Sequence, residues 1–133
     1  MKRLWLLAAL VASPAVYAYT PDELRGDCQA AEEMYAQQKS SDPFKSIRSA
    51  RCIAYVAGFA DGYAVSNYLA EQVSVKLNAF CLPNDPDLSM RLVRAVTIHV
   101  ERVPPNTTMS TATLVAGALA KAFPCAEALE SKK

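Results

Sequence analysis

Apolar and polar residues recur with helical periodicity along most of the chain. The first helix start is the motif Thr20-Pro21-Asp22-Glu23, which combines a capping side chain, a proline suited to the first helical position and a capping-box glutamate. This motif predicts a first helix from about Pro21 to Gln38. A second start at Asp42-Pro43 is followed by apolar residues at helical spacing, namely Phe44, Ile47, Ala50, Ala54 and Ala57. The second helix is predicted to be long and to reach about Gln72.

Two further helices are predicted after the proline-rich loop 81–86. The third carries one apolar face until Pro104-Pro105 ends the pattern, with Leu88, Leu92, Val96, His99 and Val103 on that face. Several caps between Asn106 and Ser110 precede a fourth helix, whose wide stripe is formed by Leu114, Val115, Ala118, Leu119, Ala122 and Phe123. The segment Gln72 to Phe80 alternates weakly, but no partner strand exists, so we interpret it as helix end and connector. The pattern predicts an all-α domain of four helices arranged as two helical hairpins.

The N-terminus has the three parts of an export signal. Lys2 and Arg3 are positive, Leu4 to Ala12 is apolar, and Val16-Tyr17-Ala18 places small residues at the −3 and −1 positions. Cleavage is expected after Ala18, which leaves residues 19–133 as a single domain in the periplasm. The apolar run is shorter than the roughly 20 residues that span a bilayer, so no membrane anchor is expected.

Composition and charge predict one compact domain and argue against nucleic-acid binding. Of 133 residues, 52% are hydrophobic, which supports one compact domain. Loss of Lys2 and Arg3 with the signal would change the net charge from +1 to −1. A balanced surface of this kind has no basic footprint for nucleic acid.

Four cysteines follow the signal, and an even number in an exported chain favours disulfides over free thiols. None of them forms a Cys-x-x-Cys pair, and His99, the one histidine, cannot complete a convincing zinc set, so no metal and no cofactor is expected. In antiparallel hairpins, residues equally far from the turn face each other, which favours Cys28–Cys52 and Cys81–Cys125. Pairing of Cys28 with Cys81 or Cys125 stays open at this stage.

The segment from Cys52 to Gly62 places Cys52, Tyr55, Phe59 and Gly62 on one helical face. Glycine costs about 1 kcal/mol inside a helix relative to alanine, so Gly58 and Gly62 are expected where a neighbouring helix comes close. Asp61 has no second carboxylate, base or nucleophile at a recognisable spacing. The chain is therefore not expected to be an enzyme.

Four cysteine-centred pieces together resemble the Rap/Tai-type family of periplasmic immunity proteins of type VI secretion systems. They are a cysteine in the first helix, Cys52-x-x-Tyr55-x-x-Gly58-x-x-Asp61-Gly62, Phe80-Cys81-Leu82-Pro83 and Phe123-Pro124-Cys125. The similarity covers nearly all of residues 19–133. Two departures are His99, where the family often has tyrosine, and the loop from Asn84 to Leu88, which is about one residue longer than usual.

The resemblance implies a non-enzymatic inhibitor that binds a toxic effector, commonly a cell-wall amidase. A second copy of the chain is a further candidate partner. The main alternative is a periplasmic acid-stress chaperone similar to HdeA, which is also helical and disulfide-bonded.

Effector binding is expected at exposed loops, because function tends to collect there on a rigid scaffold. The favoured loop contains Asn84, Asp85 and Asp87, is tethered at Cys81, and carries two carboxylates that suit a basic cleft. The turn from Pro104 to Met109 is the second candidate.

Overall fold

The computed structural model describes residues 18–126 and shows four helices in that range. They are α1 (Pro21–Tyr35), α2 (Lys45–Glu71), α3 (Leu88–Glu101) and α4 (Thr111–Ala122). No strand occurs among these residues, which confirms the all-α fold class. None of the helices within 18–126 is both long enough and apolar enough to cross a membrane. The predicted n-region and apolar run of the export signal lie outside the described residues.

Helix α1 begins as its sequence predicts and ends three residues early. The Thr20 side chain accepts a hydrogen bond from the Glu23 N–H at 3.2 Å, and the Glu23 carboxylate accepts one from the Thr20 N–H at 2.9 Å. The helix stops at Tyr35, not at Gln38, because Gln37 has a φ of 55°. A left-handed residue cannot continue a right-handed helix, so the chain turns there.

Helix α2 begins at Lys45, two residues after the predicted Asp42-Pro43 start. The Asp42 carboxylate accepts a hydrogen bond from the Phe44 N–H at 2.8 Å, so its side chain closes the turn before the helix instead of capping the helix itself. The helix ends at Glu71. The connector that follows folds back and contacts the side of the same helix. In this connector the Ala79 N–H donates to the Tyr63 hydroxyl at 2.8 Å, and the Phe80 ring stacks on Tyr63 with centroids 3.9 Å apart.

The helices pack as two hairpins, α1 with α2 and α3 with α4, and α1 also lies against α3. Their shared core is aliphatic, and its fully buried large side chains are Leu24, Val56, Val93, Val96, Val100, Leu114, Val115 and Leu119. Helices α3 and α4 supply six of these eight side chains, and the apolar faces predicted for the two helices contain four of the six, namely Val96, Leu114, Val115 and Leu119. Burial of these side chains is the main source of stability, since each contributes about 1.5–3 kcal/mol relative to exposure.

Helix α2 buries a different face from the one its apolar residues mark. Its buried residues are Lys45, Ser49, Cys52, Val56 and Ala60. Phe44 and Ile47, the first apolar positions of the pattern that predicts this helix, are 62% and 59% exposed. Ala50 and Ala54 are exposed as well. Ala57 is half-buried, so most but not all of the apolar stripe that predicts α2 points away from the bundle.

Candidate partner-binding surface

Two disulfides hold the surface elements in place. Cys28 bonds to Cys52 and so joins α1 to α2, while Cys81 bonds to Cys125 and so joins the connector before α3 to the end of α4. The Cys81 N–H also donates to the Phe123 carbonyl at 2.8 Å. Both pairings predicted from the hairpin geometry are confirmed, and the pairings that were left open do not occur. Pro83 and Pro124 lie beside the second disulfide.

The loop from Asn84 to Asp87 is fixed at the start of α3 by Asp85. The Asp85 carboxylate accepts the Asp87 N–H at 2.9 Å and forms an ion pair with Arg91. The Asp87 N–H, and after it the Arg91 guanidinium, hold the pKa of Asp85 below its usual value. Asp85 is half-buried, whereas Asn84 and Asp87 are exposed. The loop is preordered, and the carboxylate it presents freely to solvent is that of Asp87.

The turn between α3 and α4 is the second exposed element. The Thr107 N–H donates to the Pro104 carbonyl at 3.1 Å, and the Met109 N–H donates to the Thr107 hydroxyl at 3.2 Å. Pro104 and Pro105 are both exposed, and Met109 is 41% exposed. This turn is also preordered, but its surface is uncharged.

The expectation of a close helix contact at Gly58 and Gly62 is wrong. Both glycines are exposed, and a β-carbon on either would meet no atom beyond its own stretch of helix within 4 Å. Asp61, between them, is exposed too. The three residues lie on the outward face of α2, where no other described helix approaches.

Tyr55 lies at the edge of the core, as expected for a motif residue that packs with the fold. Its ring meets that of Tyr19 edge-on, with centroids 4.9 Å apart, and burial raises the pKa of its phenol. Phe59 is also packed against the core. Because these aromatic side chains pack against the core, the surface that stays exposed for a partner consists of the loops and the outward face of α2.

A buried carboxylate on α1, Asp27, organises a polar cluster that the sequence pattern does not reveal. It is 4% exposed and accepts a hydrogen bond from the Tyr19 hydroxyl at 3.1 Å. Arg48 and Arg51 of α2 reach the same carboxylate at 3.3 and 3.4 Å. Burial, and after it the charge of Asp27, raise the pKa of Tyr19 well above its usual value. Four polar groups thus lock the N-terminal segment to α1 and α2.

His99 packs between α3 and α4 and is half-buried. A β-carbon on Gly117 would come within 3.3 Å of its Nε2 atom, so the glycine at that position makes room for the imidazole. Burial, followed by the charges of Lys121 and Arg102, lowers the pKa of His99. The adjoining groove of about 170 Å³ is lined by three alanines and Ile98 together with Arg102 and Lys121, and none of the described residues that line it carries a carboxylate.

Residues 18–126 contain neither a free thiol nor a cluster of metal-ligating side chains. All four cysteine sulfurs are in disulfides, and no group of three or more His, Cys, Asp or Glu residues there could hold a metal ion. The described domain is a small helical scaffold, cross-linked twice, that presents preordered turns.

Comparison with known families shows which family this helical domain belongs to. A family model described as Rap1a immunity proteins matches residues 20–125, and the chain belongs to that family. No match was found among the curated proteins or among the solved structures. Immunity proteins of this family are generally non-enzymatic inhibitors, and membership implies a toxin effector as the binding partner.

Proposed function

We propose that this protein is a periplasmic immunity protein that binds and neutralises a type VI secretion effector, and that the effector is a peptidoglycan amidase. The observation that carries the proposal is the family match over residues 20–125, which spans both disulfides and both exposed turns. A scaffold held by two disulfides loses little conformational entropy on binding, which suits a protein that must block a toxin tightly.

The proposed location is the periplasm, with the export signal removed after Ala18. Support comes from the two disulfides, because such bonds persist in oxidising compartments and are rare in the cytosol. The family match gives no support to the alternative, an acid-stress chaperone.

We assign the effector contact to the loop from Asn84 to Asp87. In this assignment Asn84 and Asp87 touch the effector, since both are exposed, and Asp85 positions the loop through its bonds to the Asp87 N–H and Arg91. An acidic, preordered loop complements an enzyme cleft that carries basic residues. A second copy of the chain is a further proposed partner.

The function is tested by searching the neighbourhood of this gene for a toxin gene and directing the toxin to the periplasm, with and without this protein. We expect lysis without the protein and survival with it, and we expect the purified pair to form a complex that no longer releases peptides from peptidoglycan. A bound effector that cleaves another bond would overturn the amidase assignment alone. A neighbouring toxin that neither binds nor is neutralised would overturn the immunity function.

The loop assignment is tested with Asp87→Ala, because this change leaves the Asp85–Arg91 pair intact. We expect an affinity loss of at least tenfold, which corresponds to about 1.4 kcal/mol. The matched control is Asp61→Ala, which removes an exposed carboxylate from α2. Unchanged affinity for Asp87→Ala, combined with a loss for Asn106→Ala or Thr108→Ala, would move the contact to the α3–α4 turn.

A further inference from the structure

A groove of about 370 Å³ runs between the C-terminal half of α1 and the N-terminal half of α3. Glu32 and Tyr35 lie on its α1 wall, and Met90 and Arg94 lie on its α3 wall. The Tyr35 hydroxyl shares a hydrogen bond of 3.0 Å with the Ser89 hydroxyl, which ties the two walls together. The groove is therefore a formed feature of the bundle, with charged groups on both sides.

Two carboxylates line this groove, and one of them already has a partner. The Glu33 carboxylate forms an ion pair with Lys45 at 3.1 Å, and the Lys45 ammonium also donates to the Gln38 carbonyl at 3.0 Å. The Glu32 carboxylate is half-buried and has neither a hydrogen bond nor an ion pair within residues 18–126. Burial raises the pKa of Glu32, while the nearby charges of Arg94 and Glu101 act in opposite directions. A carboxylate that loses water without gaining a donor is stabilised by a cation that enters the groove.

The opposite wall supplies a positive charge. Arg94 is exposed on α3, and its guanidinium forms no ion pair with any described residue, Glu32 included. The axes of packed helices lie about 8–10 Å apart, so opposite charges on the two walls are separated by the width of a small molecule. Met90, which is 40% exposed, and Ala36 add apolar surface beside these charges.

We propose that this groove binds a small aliphatic α-amino acid, with the ligand's ammonium on Glu32, its carboxylate on Arg94 and its side chain on Met90. A guanidinium can hold a carboxylate through two parallel N–H···O bonds, and a carboxylate accepts the charged hydrogen bonds of an ammonium. Each charge of the zwitterion would thus meet a protein group of opposite charge.

The presence of both charges selects an amino acid over simpler ligands. A plain amine would satisfy Glu32 and leave its own positive charge facing Arg94, whereas a plain carboxylic acid would face repulsion from Glu32. A basic side chain of a partner protein has the same shortcoming as the plain amine. The proposal does not depend on effector binding, and its tests contain no effector.

The first test changes the ligand. The purified domain is titrated with leucine, with N-acetylleucine, which lacks the ammonium, and with leucine methyl ester, which lacks the carboxylate, and binding is followed by NMR chemical shifts. We expect leucine to bind with a Kd of about 1 mM or lower, and each derivative to bind at least tenfold more weakly. No shift changes with leucine up to about 10 mM would overturn the proposal. A methyl ester that binds as tightly as leucine would also overturn it and would indicate a site for an amine or a basic side chain.

The second test changes the protein. Glu32→Gln and Arg94→Gln should each weaken leucine binding at least tenfold, with thermal melting as the check on folding. Glu32→Gln should also abolish the preference for leucine over N-acetylleucine, and Arg94→Gln the preference for leucine over its methyl ester. These paired losses assign one charge of the ligand to each residue.

The matched control is Glu101→Gln, because Glu101 is an exposed carboxylate on α3 that does not line the groove. Its affinity for leucine should stay within about twofold of the unchanged protein, since solvent and salt screen a charge that makes no contact. Unchanged affinity in Glu32→Gln or Arg94→Gln, or an equal loss in Glu101→Gln, would overturn the proposal.

Discussion

At the scale of single residues, Asp27 has a structural role that the sequence pattern does not indicate. Nothing in the pattern of α1 marks it as buried, yet its carboxylate binds Tyr19, Arg48 and Arg51. Arg48 and Arg51 are each more than two-fifths exposed, so they reach the buried carboxylate while staying in contact with water. This arrangement lets a charged group lie in the helix interface without an unpaired buried charge.

Replacing Asp27 with alanine is expected to lower the free energy of unfolding by about 2 kcal/mol, because three donors lose a charged acceptor. Chemical denaturation with a common m-value for both proteins would measure the loss. Asp22→Ala is the control: Asp22 is on the same helix but is 71% exposed, and its ion pair with Arg25 contributes little. An Asp27 variant as stable as the Asp22 variant would contradict the structural role given to this cluster.

At the scale of elements, the two disulfides link different parts of the molecule. Cys28–Cys52 joins two helices that already pack together, while Cys81–Cys125 ties an irregular connector to the end of α4. The second bond therefore controls the loop from Asn84 to Asp87, which begins three residues after Cys81.

Replacing Cys81 and Cys125 with alanine should destabilise the fold by about 4 kcal/mol, and replacing Cys28 and Cys52 by about 3.5 kcal/mol, from the entropy of the loops they close. The two double variants serve as controls for each other. In conditions where both are folded, the variant without Cys81–Cys125 should bind the effector less tightly, because its loop loses its tether. Equal affinities for both variants would separate the loop from the interface.

At the scale of the whole molecule, a double-bridged helical bundle is suited to staying folded. A chaperone that works by acid unfolding would have to expose apolar core, and the disulfides restrict how far α1 and α2, or α4 and the connector, can separate. At about pH 2 we expect the oxidised protein to leave aggregation of an added client unchanged, as light scattering would show. Suppression of aggregation at substoichiometric protein would favour the chaperone alternative over immunity.

The number of helices and the starts of α1 and α4 could be predicted from the sequence, because they depend on neighbours along the chain. The capping box at Thr20, the Ser110 cap of α4 and the prolines around the third helix act through hydrogen bonds and sterics within a few residues. The cysteine pairing followed because a helical hairpin converts position along the chain into position across the bundle. The family resemblance rested on four short cysteine-centred motifs, and the family match confirms it.

The tertiary structure decided which face of α2 is buried, how Asp27 is partnered, and what surrounds Gly58 and Gly62. On α2, small residues lie on both the buried and the exposed sides, with Ala60 inside and Ala54 outside, so hydrophobicity alone could not choose between them. Which face of α2 is buried depends on where α1 and α3 pack against it, and on the cysteine whose disulfide holds α2 against α1. Those contacts join residues far apart in sequence, and only the packed bundle determines them.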